Sequence, residues 1–77
     1  MRDVPLKIRR LRELKNLTQE HLADQLGISR RAYGKIESGH TQLTLSRLDK
    51  ISTILGCPTE ALLTSSAEDL YLKYKQG

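Results

Sequence analysis

Apolar residues recur every three or four positions along most of the chain, and short polar or glycine-containing stops interrupt them. This spacing is typical of amphipathic helices, because three to four residues complete one helical turn. Between residues 5 and 63 no stretch alternates convincingly between apolar and polar side chains, as a half-buried strand does. The pattern therefore predicts an all-α domain of short helices joined by short connections.

Five helices are predicted from their apolar stripes and from the residues that begin and end them. Residues suited to a helix start are Pro5, Thr18, Ser29, Thr44 and Pro58, and residues suited to a stop are Asn16, Gly27, Gly39 and Gly56. The side chains expected to face inward are those of Val4, Ile8, Leu11, Leu14, Leu22, Ala23, Leu26, Ala32, Tyr33, Ile36, Leu45, Leu48, Ile51, Leu55, Leu62 and Leu63.

The C-terminal tail, residues 64–77, allows two interpretations. Ser66 followed by Ala-Glu-Asp is typical of a capping box, and it predicts a helix with Leu70, Tyr71 and Tyr74 inward. The alternation of apolar and polar side chains over residues 70–75 is also typical of an edge strand. The helix is the favoured interpretation.

The net charge of +4 is confined to one half of the sequence. Residues 1–40 carry nine Lys and Arg against five Asp and Glu, whereas residues 41–77 carry four of each sign. An asymmetry of this kind suggests a polyanionic partner on the side of the fold that the N-terminal half forms.

Composition excludes several other classes of protein. No apolar run approaches the roughly 20 residues that span a bilayer, and no secretory signal precedes the helices, so we expect a cytoplasmic protein without membrane association. The single cysteine, Cys57, cannot form an internal disulfide. His21 and His40 lack partners at metal-ligand spacing. Nothing indicates a metal, a cofactor or a catalytic group, so we expect a binding protein rather than an enzyme.

Residues 18–39 have the spacing of two helices that cross at a steep angle. Ala23 is small where the second helix would pass closest, and Gly27 lies at the turn, where the chain needs positive φ. A short turn between two such helices predicts a helix-turn-helix, the arrangement whose second helix enters a DNA major groove.

From Ile8 to Leu63 the chain resembles the Cro/C1-type helix-turn-helix domains of the XRE family. The matching residues are Leu11-Arg12, Leu17-Thr18-Gln19, Leu22-Ala23, Leu26-Gly27-Ile28-Ser29, Ile36-Glu37, Gly39, Leu45, Leu48, Ile51 and Leu55-Gly56. The resemblance implies a compact five-helix, lambda-repressor-like DNA-binding domain over residues 1–63. Its helix-turn-helix covers about residues 18–38, and residues 64–77 form a short C-terminal extension.

The same resemblance implies a set of DNA-contacting residues: Gln19, Ser29, Arg30, Arg31, Lys35, Ser38, His40 and Gln42. Arg30 or Arg31 is the expected base reader, because a guanidinium can donate two parallel hydrogen bonds to guanine, and the sequence leaves open which of the two it is. The family's usual proline after this loop is absent, with Leu43 in its place. The resemblance also implies a partly buried ion pair between Arg12 and Glu37, which would remove both from the DNA surface. It further implies that Cys57 packs in the core, because the family has a small apolar residue at that position.

Two features of the sequence, the cations of the first helix and Tyr33, each allow two interpretations. The cations of the first helix (Arg2, Lys7, Arg9, Arg10 and Lys15) form either a solvated face or a set of nonspecific phosphate contacts. Tyr33 stands where the family usually has Ile or Val. Its hydroxyl is expected to bond a backbone group in the core, and the alternative is a contact to a phosphate at the rim.

The expected function is a sequence-specific, DNA-binding transcriptional regulator that represses by occupying an operator as a homodimer. Its partner is double-stranded DNA, and the dimer surface is expected from the fifth helix and the tail, with Leu70, Tyr71 and Tyr74 as candidates. The alternative is an antitoxin or other interaction module that binds a partner protein and regulates its own operon.

Overall fold

A computed structural model describes residues 3–75, so Arg2 and the last two residues of the tail lie outside the description. Within that range the chain forms helices and no strand. The helices are α1 (Val4–Leu14), α2 (Gln19–Leu26), α3 (Arg30–Glu37), α4 (Leu45–Leu55), α5 (Thr59–Thr64) and α6 (Ala67–Tyr74). The all-α prediction is confirmed, and the Cα positions extend over 30 × 24 × 18 Å.

Four helices begin at a side-chain cap. The side chain of Thr18 accepts a hydrogen bond of 3.0 Å from the N–H group of His21, and that of Ser29 accepts one of 3.0 Å from Ala32. In the same way Thr44 accepts a bond of 3.1 Å from the N–H group of Arg47, and Ser66 accepts one of 3.1 Å from Asp69. Each bond satisfies one N–H group that the first helical turn leaves without an intrahelical partner. These local bonds explain why the helix starts could be identified from the sequence.

Helices α1, α2 and α4 end in the same way, with a residue of positive φ followed by an apolar side chain. The first positions are Asn16 (φ 59°), Gly27 (φ 71°) and Gly56 (φ 75°). The next residues, Leu17, Ile28 and Cys57, each donate an N–H bond of 3.0 Å to the carbonyl five residues earlier. This is the Schellman motif, and it turns the following apolar side chain back towards the core.

The core lies around α1. This helix packs against α3, α4, α5 and α6, while α2 packs against α3 and α4. Three residues predicted to face inward are exposed instead, which are Leu45 (62%), Leu63 (41%) and, in the tail, Tyr71 (53%). Leu45 is the first residue of α4, and Leu63 lies near the end of α5. The helical period places both beside an apolar stripe, but no neighbouring helix covers them.

The tail forms α6, so the helix interpretation is confirmed and the edge-strand interpretation is wrong. Leu70 is 2% exposed and belongs to the core, because α6 packs along α1. The ring of Tyr74 is half-buried, with the ammonium groups of Lys15 and Lys73 each 5.7 Å from its centroid. The expectation that Leu70 is available for a dimer contact is therefore wrong, and Tyr71 is the exposed member of the three candidates.

Two further side chains are buried against α5 and the end of α4. Lys7 is 7% exposed, and its ammonium donates a hydrogen bond of 3.2 Å to the carbonyl of Leu62 in the last turn of α5. Both interpretations that placed Lys7 at the surface are wrong, because a cation at a helix C-terminus can satisfy a free carbonyl while its stem packs against apolar side chains. Cys57 is buried as predicted, and burial raises the pKa of its thiol.

Candidate nucleic-acid interface

Helix α3 has one buried face and one basic exposed face. Tyr33, Ile36 and Glu37 point into the fold, whereas Arg30, Arg31 and Lys35 are exposed. Successive residues of a helix point about 100° apart, so residues four positions apart lie almost in line. Arg31 and Lys35 therefore share one stripe, and Arg30 and Gly34 share the next.

The basic face carries no neutralising carboxylate. Over residues 3–75, ion pairs join Arg9 to Glu13 and Arg12 to Glu37, and neither includes a cation of the exposed α3 face. The acidic residue of α3 is Glu37, which points inward. The face therefore presents three cations to solvent, and positive potential of this kind attracts a polyanion.

The turn between α2 and α3 is short and fixes how α3 is displayed. Gly27 has positive φ, Ile28 is half-buried against the core, and the hydroxyl of Ser29 caps α3. Ala23 of α2 is 1% exposed at the packed junction, where a larger side chain would separate the helices. Ser29 therefore lies at the N-terminal end of α3, as predicted, with its hydroxyl engaged as a cap.

The side chains of Arg12 and Glu37 form an ion pair beneath this face. Arg12 Nε donates to Glu37 Oε2 at 2.6 Å and Arg12 Nη2 donates to Glu37 Oε1 at 3.1 Å, while Arg12 Nη1 donates to the carbonyl of Leu17 at 2.8 Å. The Arg12 side chain is 11% exposed and that of Glu37 is 3% exposed. The pair joins α1 to the last turn of α3, so neither residue belongs to the exposed basic face of α3.

The environment of the pair favours both charged forms. Burial alone would raise the pKa of Glu37, but the polar groups of Arg12, Tyr33 and Gln19 around its carboxylate outweigh burial and hold that pKa below its ordinary value. The hydrogen bond to Glu37 likewise holds the pKa of Arg12 above its ordinary value against the effect of burial. Both side chains are therefore charged at neutral pH.

Gln19 reaches the same cluster from the first turn of α2. Its Nε2 donates a hydrogen bond of 3.2 Å to Glu37 Oε1, and the side chain is half-buried. One amide hydrogen is thus used inside the protein, and the rest of the carboxamide lies at the edge of a shallow cleft that also contains Arg9, Gly34 and Ser38. The predicted phosphate contact of Gln19 would use the atoms that this bond leaves free.

The loop after α3 brings its predicted contact residues to the surface. Ser38, His40 and Gln42 are all exposed. The Ser38 hydroxyl lies 3.2 Å from the Lys35 carbonyl and 2.7 Å from His40 Nδ1. These contacts order the start of the loop beside Lys35 in the last turn of α3, whereas Arg30 and Arg31 lie at the opposite end of the same helix.

Tyr33 is buried in the core as predicted, but its hydroxyl does not make the predicted bond. Its side chain is fully buried, which excludes a contact to phosphate at the rim. Its hydroxyl has no hydrogen-bond partner among the described residues, so the expected bond to a backbone group is absent. Burial raises the pKa of this hydroxyl, because the phenolate would lose its solvation, and the nearby Glu37 carboxylate raises that pKa further.

Two features of the structure were missed at the level of sequence: the buried side chain of Lys7 and the glycine in the middle of α3. Lys7 lies on the buried side of α1. The helical spacing of Val4, Ile8 and Leu11 places residue 7 on the same face, so the burial of Lys7 could have been predicted from this spacing. Gly34 lies in the middle of α3 without positive φ, and a Cβ there would come no closer than 3.9 Å to Gln19 Oε1. No backbone or steric requirement for glycine exists at this position.

Comparison with known proteins agrees with this geometry. A family model described as helix-turn-helix matches residues 8–62. The chain belongs to this helix-turn-helix family. The predicted Cro/C1-type resemblance is confirmed, and the matched segment runs from α1 through α5 and includes the basic face of α3.

Curated relatives within the helix-turn-helix family are similar over most of this chain. It is 42% identical over 57 residues to the SPbeta prophage-derived uncharacterized HTH-type transcriptional regulator YonR of Bacillus subtilis (strain 168), covering 74% of this chain and 53% of YonR. It is 44% identical over 64 residues to the HTH-type transcriptional activator BcrR of Enterococcus faecalis, covering 83% of this chain and 30% of BcrR. A third relative is the uncharacterized HTH-type transcriptional regulator YqaE of Bacillus subtilis (strain 168), at 36% identity over 62 residues, covering 80% of this chain and 53% of YqaE.

This helix-turn-helix chain spans about half the length of YonR and YqaE and less of BcrR. No solved structure matches it. None of the helices between residues 3 and 75 is long and apolar enough to cross a membrane. In the same part of the chain, His, Cys, Asp and Glu side chains form no group of three or more that could hold a metal ion.

Proposed function

We propose that this helix-turn-helix protein is a sequence-specific, DNA-binding transcriptional regulator whose helix α3 enters the major groove. The observation that carries the proposal is the exposed, unneutralised face of Arg30, Arg31 and Lys35 on the second helix of the motif. Residues at the N-terminal end of such a helix reach base edges, while the preceding helix crosses the DNA backbone.

The roles within the interface follow from the position of each side chain. Arg30 and Arg31 begin α3, where a guanidinium can donate two hydrogen bonds to guanine O6 and N7, worth about 1–3 kcal/mol of discrimination. The proposed phosphate and sugar contacts come from the surrounding polar groups, which are Gln19, Ser29, Lys35, Ser38, His40 and Gln42. Contacts to the backbone fix the register of the protein on the duplex, and the arginines then supply the sequence preference.

The dimensions of the protein support binding as a homodimer. Its longest Cα extent is 30 Å, whereas successive major grooves on one side of B-DNA are about 34 Å apart. A single copy, which carries one recognition helix, therefore reads one half-site. Two copies related by a two-fold axis would read two half-sites one helical turn apart, and the larger contact would provide the affinity that specific binding needs.

Repression by occupancy is the proposed mode of regulation. A dimer bound across a promoter blocks that DNA without further contacts, whereas activation requires an additional contact with the transcription machinery. BcrR, of which this chain covers 30%, is named an activator. A reporter gene with the selected operator placed across its promoter tests the direction: expression should fall when the protein is present, and a rise would refute repression.

Selection of bound duplexes from a random DNA pool tests the proposed function. The expected result is a two-fold symmetric sequence with guanines in each half-site, bound with an affinity whose logarithm falls linearly with the logarithm of salt concentration, by roughly 0.9 per phosphate contacted. Recovery of no enriched sequence would refute sequence-specific binding.

A double variant, Arg30→Ala with Arg31→Ala, tests the assignment of the reading helix. It should lose the preference for the selected sequence and keep its stability, because both side chains are exposed. The matched control is Lys73→Ala with Lys75→Ala, which removes the same charge from the end of α6 and the residue after it and should keep the preference. An unchanged footprint of the arginine variant on the operator would overturn the assignment.

A further inference from the structure

A shallow cleft opens where α1, α2 and α3 meet, at the edge of the surface proposed to contact DNA. Its volume is about 260 Å³. Its lining comes from all three helices and the residue after α3, and consists of Arg9, Arg12, Gln19, Gly34, Glu37 and Ser38. Gln19 and Ser38 belong to the predicted DNA-contacting set, so a duplex that contacts both would pass over the cleft.

Two neighbouring arginines of α1 point to different sides of that helix. Arg9 lies three residues before Arg12, and both line the cleft that α1 forms with α2 and α3. Arg10 instead lines the hollow between α1 and α6, together with Tyr71. Among the described residues that line this hollow, none is predicted to contact DNA. The structure therefore separates two cations that the sequence could not distinguish, with Arg9 on the DNA side and Arg10 away from it.

The lining of the cleft carries a net positive charge. Its charged groups are the two guanidinium groups of Arg9 and Arg12 and the one carboxylate of Glu37. Arg12 and Glu37 are paired with each other at 2.6 Å, and both oxygens of the carboxylate accept hydrogen bonds from within the protein. The charge of Arg9 is therefore the one that the cleft offers to an anion.

Arg9 is held only weakly by its own helix. Its Nε lies 3.5 Å from Glu13 Oε2, and the two side chains are 58% and 53% exposed. An exposed pair of this kind contributes little to stability, because water screens it and two long side chains must be ordered. Glu13 does not line the cleft. The guanidinium can therefore exchange this contact for an anion in the cleft at small cost.

The donors that remain in the cleft suit the two free oxygens of a phosphodiester. A guanidinium can donate two parallel hydrogen bonds to a phosphate. Gln19 keeps one amide hydrogen, because Nε2 carries two and donates one to Glu37. Gly34 brings no side chain into the cleft, so the space beside Gln19 stays open. Charge, donors and space together fit one phosphate group.

We propose that Arg9 contacts the DNA backbone, and that the cleft receives one phosphate between the Arg9 guanidinium and the free amide hydrogen of Gln19. The inference rests on the proposed function, because the phosphate belongs to the duplex whose major groove α3 enters. It deepens that function by adding α1 to the interface through Arg9 and by leaving Arg10 out. A phosphate contact carries no sequence information, so Arg9 contributes affinity and register, while the arginines of α3 supply the sequence preference.

Arg9→Gln and Arg10→Gln form a matched pair of variants, since each removes one exposed positive charge from adjacent positions of α1. Fluorescence anisotropy with the selected operator measures their affinities over a range of salt concentrations. Arg9→Gln should bind roughly five- to tenfold more weakly near 0.1–0.2 M salt, and the slope of log affinity against log salt should fall by about 0.9 for each bound copy. Arg10→Gln should keep the wild-type slope. Equal losses in the two variants, or no loss in Arg9→Gln, would overturn the inference.

Uncharged phosphates locate the contact. In a set of operator duplexes that each carry one methylphosphonate in place of a backbone phosphate, one position should weaken the wild type and Arg10→Gln but have little further effect on Arg9→Gln. If Arg9→Gln instead loses as much affinity as the wild type at every position, the inference is wrong and the proposed function stands. A wild-type protein without sequence preference would contradict the proposed function, while the salt slopes on any duplex would still report the Arg9 contact.

Discussion

Replacement of Glu37 by Gln removes the counter-charge of Arg12 while keeping nearly the same side-chain shape. In the folded protein both side chains are largely excluded from solvent, at 11% and 3% exposure, and two hydrogen bonds join them. Without the carboxylate, the guanidinium remains charged in a site that offers it the Leu17 carbonyl and a neutral amide. Breaking a buried pair in this way typically costs about 3–5 kcal/mol.

That loss is large for a domain of this size. At about 0.05–0.15 kcal/mol per residue, the whole chain has a free energy of unfolding of about 4–12 kcal/mol. Urea unfolding followed by far-ultraviolet circular dichroism should therefore show a much lower transition midpoint for Glu37→Gln than for the wild type. A double variant, Arg12→Met with Glu37→Met, is the control: with both charges removed, most of the stability should return.

The pH dependence gives an independent check. The pKa of Glu37 is lower in the folded state than its ordinary value, so the stability from its charged form is present at neutral pH. It is lost as the pH falls from about 5 through the ordinary glutamate range to the lower folded-state pKa. The difference in unfolding free energy between wild type and Glu37→Gln should shrink over that range. A neutral-pH difference below about 1 kcal/mol, or one that does not change with acid, would refute the reasoning.

Three further substitutions test other parts of the structure by thermal or urea unfolding. Gly34→Ala should stabilise the protein by about 0.5–1 kcal/mol, because glycine is unfavourable in a helix interior and the added methyl group would lie 3.9 Å from Gln19; a loss of stability would contradict this. Tyr33→Phe should leave stability unchanged or raise it, because the buried hydroxyl makes no hydrogen bond among the described residues, and a loss above about 1 kcal/mol would reveal a bond to the nearby Glu37 carboxylate. Leu70→Ala should cost about 2–5 kcal/mol, whereas a surface-like effect would mean that α6 is not part of the core.

The parts of the fold that were predictable depend on local interactions. Thr18, Ser29 and Thr44 cap the helices that follow them through bonds that reach only three residues along the chain. Asn16 and Gly27 end helices because each adopts positive φ. Such features are visible in the sequence because the residues that interact lie next to one another. The basic stripe of α3 was also predictable, since it depends only on the helical period.

The errors arise where one helix meets another. The period of α1 could not show that the carbonyl of Leu62, 55 residues away, would hold the ammonium of Lys7 inside the fold. The pattern of α4 could not show that Leu45 would lie beyond the reach of any neighbouring helix. In both cases the sequence predicts which side chains share a face, and only packing decides whether that face is covered.

The sequence by itself determined the helices, their boundaries from α1 to α5, the helix-turn-helix and the cations at the start of its second helix. Tertiary structure decided the rest. It buried Leu70 of the predicted tail helix α6 against α1. It also placed Arg10 and Glu68 around one apolar hollow and left Tyr71 exposed beside them. The physical reason is that caps and periodicity act over one or two turns of a helix, whereas burial depends on contacts between segments that are distant in sequence.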